Sequence, residues 1–122
     1  MKTLFGVIAA AALAVAAPAG AHHSYAMFDA TQNKQLDGVV QDFKWTNPHS
    51  YIEVLVVDQK GQAQKWGVEC GSPSQMVKAG WRASTLKPGD HVVVTIHPLR
   101  SGEFGGSFVQ AQVPDGRTLK AS

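Results

Sequence analysis

Two adjacent histidines, His22 and His23, follow the small-residue stretch Pro18-Ala19-Gly20-Ala21 and, before it, the apolar residues 4–17. A neutral imidazole is a good metal ligand. A free α-amino group, whose pKa is about 7.7–8.0, gives up its proton readily once a metal competes for it. Cleavage after Ala21 would make His22 the first residue of the product, able to offer amine and imidazole to one ion. One further imidazole completes a T-shaped set of three nitrogens, the histidine brace, and planar nitrogen donors favour Cu(II). Cleavage after Ala19 instead leaves Gly20-Ala21-His22, in which amine, backbone nitrogens and imidazole enclose Cu(II) or Ni(II) in a square plane. The Ala-x-Ala pattern directly before His22 favours the later cut.

The other three histidines are His49, His91 and His97. His49 follows Asn47-Pro48 in a turn. His91 and His97 bracket one strand in the same phase, and six residues of strand span roughly 20 Å, so one mononuclear site takes only one of them. Glu69 is a candidate alternate or supporting ligand beside His23, and Met27 is either a soft ligand for Cu(I) or a packing residue. The single cysteine, Cys70, has no partner for a disulfide or a paired-cysteine metal motif, and reads as a small buried hydrophobe. Nucleophile elbow, phosphate-binding glycine loop and paired carboxylates are all missing from the sequence, so binding is expected rather than catalysis. A brace-type copper oxygenase would need an open copper position beside a substrate surface, and nothing in the chain marks one.

The histidines acquire this meaning only if the N-terminus is processed. Met1-Lys2-Thr3 is a short basic start, and the apolar run behind it is too short to span a bilayer, which takes about 20 residues of helix. Residues 1–21 therefore read as a cleaved secretory signal. Of the 122 residues, about 100 remain, and losing Lys2 lowers the formal net charge of +2 by one. Such a balance argues against a nucleic-acid partner. With no second hydrophobic span, the product is expected in the periplasm or secreted.

The elements that must position these residues are mostly strands. Residues 22–34 are polar and aperiodic, an N-terminal arm. Residues 35–45 form a first strand in which Leu36, Gly38 and Val40 share one phase while Phe43 and Trp45 take the other; a phase change near a glycine predicts a bulge. Residues 51–57 and 64–70 alternate as second and third strands across the turn Asp58-Gln59-Lys60-Gly61. Residues 71–81 hold a short helix: Ser72 caps it, Pro73 fits its first position, Gln75 completes a capping box and Gly80 ends it. Residues 92–97 and 107–113 are fourth and fifth strands, with a tail strand around Leu119. Three strands, a helix and two strands, with a long bulged first strand, is the order of a five-stranded Greek-key barrel of the OB type. Residues 35–122 would form this all-β domain, with Trp45, Trp66, Val54, Val68 and Val93 in its core.

The motifs His22-His23-Ser24-Tyr25, Trp45-Thr46-Asn47-Pro48-His49, Trp66-Gly67-Val68-Glu69, Gly71-Ser72-Pro73, Gly80-Trp81, Leu86-Lys87-Pro88-Gly89-Asp90 and His97-Pro98-Leu99-Arg100 cover nearly all of the mature chain. In them the chain resembles a family of small exported bacterial proteins of unknown function. The resemblance includes the double histidine and the Asn-Pro-His, and it favours His97 over His91 as the further ligand. The expected metal ligands are thus His22, His23, His49 and His97, the expected ion is copper, and the expected role is to hold or deliver it. The rival is a metal-free module that binds an envelope ligand or another envelope protein through Tyr51, Trp66 and Trp81.

Overall fold

Apolar side chains at every second position, together with two register slips, curl a single sheet until its edges meet. The computed structural model describes residues 25–122. A 3-10 turn (Tyr25–Met27) leads into β1 (Lys34–Lys44), β2 (Tyr51–Val57), β3 (Ala63–Glu69), α1 (Pro73–Lys78), β4 (His91–Pro98), β5 (Gly105–Gln112) and β6 (Thr118–Lys120). The sheet order is β3-β2-β1-β4-β5-β6, and an additional β3–β5 pairing closes a barrel of five strands. Neighbours are antiparallel except β3 and β5, which run parallel. This is a small all-β OB-like barrel with one short helix, the architecture predicted by the order of its elements.

The long first strand serves both halves of the barrel. Its first part pairs with β4, from Lys34↔Ile96 to Val39↔His91, and its second part with β2. The register with β2 slips between Val40 and Asp42, so Gln41 is the extra residue of a bulge. Phase therefore changes where the sequence changes it: Leu36 and Val40 are buried before the bulge, while Phe43 packs against the core after it. At Gly38 a Cβ would collide with the carbonyl oxygen of Leu55, so only glycine lets β1 coil this close to β2.

Closure uses a second glycine. Gly106 pairs with both Val68 and Pro98, and a Cβ there would lie 2.7 Å from the carbonyl oxygen of His97. The closing pairs begin at Gly105, two residues before the expected start of the fifth strand. The core includes Leu36, Val40, Ile52, Val54, Val68, Val92, Val94 and Ile96, joined by Met76 of α1 and by Trp81, three residues beyond the helix, both fully buried. Ser72 Oγ accepts from the backbone N–H of Gln75 at 3.4 Å, and Gln75 Oε1 accepts from Ser72 N–H at 3.2 Å, the expected capping box.

Two core expectations need correction. Val93 faces outward and is half-buried, whereas Val92 and Val94 are fully buried. A run of valines carries no phase of its own, and pairing with β1 decides it. Trp45 is only partly buried, packed edge-on against Phe43 at 5.7 Å between ring centroids.

The arm before β1 is held tightly. Phe28 forms an isolated antiparallel bridge with Leu99, and Asp29 N–H donates to the Pro98 carbonyl at 2.8 Å. Arg100 N–H donates to the Met27 carbonyl at 2.9 Å, and Arg100 Nε to the Ala26 carbonyl at 3.1 Å. Phe28 is buried on the outside of the barrel, apart from the inner core. Among the described residues, no helix is long and apolar enough to cross a membrane.

Candidate metal centre

His49 is positioned by the end of β3. Ser50 N–H donates to the Gly71 carbonyl at 2.9 Å, and Cys70 N–H returns a bond to Ser50 at 2.8 Å, extending the β2–β3 ladder by one clamp. The peptide between Asn47 and Pro48 is cis. The imidazole lies with Nδ1 3.1 Å from the Cys70 carbonyl oxygen. A carbonyl only accepts, so Nδ1 carries the ring proton and Nε2 is the basic nitrogen of the neutral ring. Metal-ligating histidines are commonly oriented this way, one ring N–H spent on a backbone carbonyl.

Glu69 stands beside it, with Oε1 3.8 Å from His49 Nδ1. The side chains are 8% and 21% exposed, respectively. Alternation along β3 points Glu69 away from the core, because Val68 points in. It is buried nonetheless, because chain packs over the outside of the strand. A cavity of about 240 Å³ beside it is lined by Tyr25 of the arm, Gln75 of α1, Ser107 of β5, Cys70 and the C-terminal Ser122. A second cavity, of about 180 Å³, is also lined by Glu69, together with Met27, Phe28, Tyr51, Leu99 and Gly106.

A buried carboxylate sets the local electrostatics. Burial pushes the Tyr51 phenol above its ordinary pKa, and the charges of Glu69, Cys70 and Tyr25 push the same way. Burial, then Glu69, raises the Cys70 thiol far above the ordinary thiol range. That thiol is 4% exposed and its Sγ–H donates to the Val68 carbonyl at 3.8 Å, so it is the inert buried residue expected of it.

His97 lies on the same sheet face, two strands away. It pairs with Ser107 on β5, and Ser107 pairs in parallel with Glu69 on β3. Two strand spacings put the His97 and Glu69 backbones roughly 10 Å apart. The ring leans the other way, its Nδ1 donating to the Gln32 carbonyl at 2.8 Å, so here too Nε2 is the basic nitrogen. His91 goes elsewhere: its Nε2 donates to Asp37 Oδ1 at 2.6 Å on the exposed outer face. β1 and β4 do pair, but their register ends at Val39↔His91, short of the turn that carries His49.

His22 and His23 lie outside the described residues. Among the described residues, no group of three or more His, Cys, Asp or Glu is gathered closely enough to hold a metal. What the structure does gather is His49, Glu69, Tyr51 and the arm residues Tyr25 and Met27. The sequence holds one hint of a docked arm, the short apolar stretch Tyr25-Ala26-Met27-Phe28 inside a polar segment. Of the three aromatic residues of the metal-free reading, Trp81 is fully buried, Trp66 is 6% exposed, and only Tyr51 reaches the surface.

Fold and site together define a small OB-like barrel with an N-terminal arm strapped over a buried carboxylate and its histidine. A family model matches residues 10–109, and the chain belongs to that family, a family of unknown function, DUF6152. Among curated proteins and solved structures, none matches the chain.

Proposed function

We propose that the processed chain is an exported copper-binding protein that holds or delivers the ion. His22 supplies amine and imidazole, His49 and His97 supply further imidazoles, and His23 or Glu69 stands as alternate or supporting ligand. The observation that carries this reading is the docking of the arm. Tyr25 lines the cavity that contains Glu69, and His49 Nδ1 is 3.8 Å from Glu69 Oε1. Three residues of chain reach about 10 Å at most, which tethers the His22 amine within that distance of the Tyr25 backbone. A buried carboxylate at the same point favours a cationic occupant. His49 and His97 each spend Nδ1–H on a backbone carbonyl, which supports Nε2 as the metal-binding atom in both.

The test uses protein expressed with its own leader and recovered from the exported fraction. Intact mass and N-terminal sequencing are expected to show His22 as the first residue, with one copper per chain. His22→Ala is expected to weaken Cu(II) binding by more than about tenfold. A metal-free product that ignores added Cu(II), or a smaller loss in His22→Ala, overturns the proposal.

A further inference from the structure

Where the arm, the start of β1, β3 and the loop after β4 converge lies another cavity, of about 340 Å³. That volume falls in the range of small-molecule sites. It shares no lining residue with the cavity of about 240 Å³ that contains Glu69. Trp66, Pro98 and Leu99 give it an apolar wall, and Asp29, Gln32, Lys34, Arg100 and Glu103 are its polar lining.

The frame is fixed by the chain around it. Asp29 N–H donates to the Pro98 carbonyl at 2.8 Å and Arg100 N–H to the Met27 carbonyl at 2.9 Å, so arm and loop are tied to each other. Within the loop, Leu99 N–H donates to the Gly105 carbonyl at 3.0 Å. Gly102 N–H donates to the Leu99 carbonyl at 3.2 Å, with Gly102 at φ +81°, a turn that suits glycine. A frame already built when a ligand arrives loses little freedom on binding.

The charges decide what kind of ligand fits. Lys34 and Arg100 are balanced by Asp29 and Glu103, so the lining has no net formal charge with which to select a simple anion or cation. Arg100 is partly spent: its Nε donates to the Ala26 carbonyl at 3.1 Å, and its Nη1 lies 3.9 Å from Asp29 Oδ1. Its fork is therefore not free to clasp a carboxylate with two parallel bonds. Asp29 Oδ1 in turn accepts from Thr31 N–H at 3.1 Å and from Thr31 Oγ1–H at 2.6 Å. Lys34, Gln32 and Glu103 differ in being exposed and uncommitted. The Lys34 ammonium lies 5.4 Å from the Trp66 ring centroid, and among the described residues no ion pair or side-chain hydrogen bond engages any of the three. Donors and acceptors thus stand together beside an apolar wall. A hydroxyl both donates and accepts, and a sugar ring carries several hydroxyls around an apolar C–H face.

We infer that this cavity binds a neutral saccharide, one sugar ring seated against Trp66, Pro98 and Leu99 with its hydroxyls on Lys34, Gln32 and Glu103. The inference is independent of the copper reading, and no metal takes part in it.

Amide-resolved NMR titration of the full processed chain tests it, with glucose, galactose, N-acetylglucosamine and maltose as probes and glucuronate and glycine as charged comparators. At least one neutral sugar is expected to bind with a Kd of about 10 mM or tighter, shifting the amides of Lys34 and Glu103 and the Trp66 indole N–H. Lys34→Ala and Glu103→Ala sit at exposed positions and are expected to keep the wild-type unfolding midpoint. Each is expected to weaken sugar binding by about fivefold or more, while His49→Ala stays within about twofold of wild type. Absence of those shifts with every neutral sugar, unchanged affinity in either variant, or an equal loss in His49→Ala overturns the inference. Glucuronate or glycine binding at least about tenfold more tightly than every neutral sugar overturns it too. None of these results bears on the copper titrations, which stand or fall separately.

Discussion

Among the described residues, two histidine–carboxylate pairs stand on the outside of this barrel, and the closer pair is the less consequential. His91 and Asp37 meet at 2.6 Å, but their side chains are 67% and 72% exposed. His49 and Glu69 stand 3.8 Å apart at 21% and 8% exposure. In water a close pair gains little, because solvent screens it and two side chains must be ordered. Beneath the arm the Glu69 carboxylate acts in a lower dielectric, where burial and its charge together raise Tyr51 and Cys70 as well. Burial, rather than distance, sets one pair apart as the candidate site and leaves the other a surface contact.

The sharpest way to break this contrast is to loosen the cover. Phe28→Ala removes the buried anchor of the arm and is expected to cost about 3 kcal/mol in urea unfolding. Hydrogen exchange is expected to speed up at the Asp29 and Arg100 amides, which bridge arm and barrel. Undiminished stability would mean that the arm does not hold the cover.

Alkaline pH probes the same buried environment. In the unfolded chain Cys70 ionises near its ordinary pKa of about 8.5, whereas burial keeps the folded thiol protonated well beyond that. A raised folded pKa stabilises fully below the unfolded value and is lost as pH climbs above it. The contribution is expected to shrink by about 1.4 kcal/mol per pH unit above 8.5. Unfolding midpoints at pH 8 and pH 10 measure this, and Cys70→Ala is expected to flatten the slope by that amount. Tyr51, also raised, adds the same sign above about pH 10, and Tyr51→Phe removes it.

Smaller effects separate the pairs directly. His49→Ala strips the Cys70 carbonyl of its side-chain donor and is expected to cost about 1–2 kcal/mol. His91→Ala and Asp37→Ala are each expected to change stability by less than about 0.5 kcal/mol, and a double-mutant cycle to give a coupling that fades in high salt. Equal costs at His49 and His91 would erase the contrast.

Much of the barrel was legible in the residues. Alternation placed Val54, Val68 and Trp66 inward, Ser72 to Gln75 announced the helix, and the phase change after Val40 announced the bulge. Alternation is local and has a period of two, so it survives in one sequence. Val93 escaped because neighbouring valines satisfy either phase. His49 was picked out as a candidate by its type and turn, but its partner relationships were not readable.

By itself, the sequence determined which residues can share a strand face, where strands must bend, and which side chains have donor chemistry, because these depend on near neighbours along the chain. The tertiary structure alone decided that Glu69, which faces outward by alternation, becomes buried. It also decided that His97 leans toward Gln32 and His91 toward Asp37, and that Tyr25 and Met27 come to lie against β3. Each of these outcomes joins segments tens of residues apart through barrel closure and the bridge from Phe28 to Leu99. No local pattern records such a contact, because its favourable energy arises only when both surfaces leave water together.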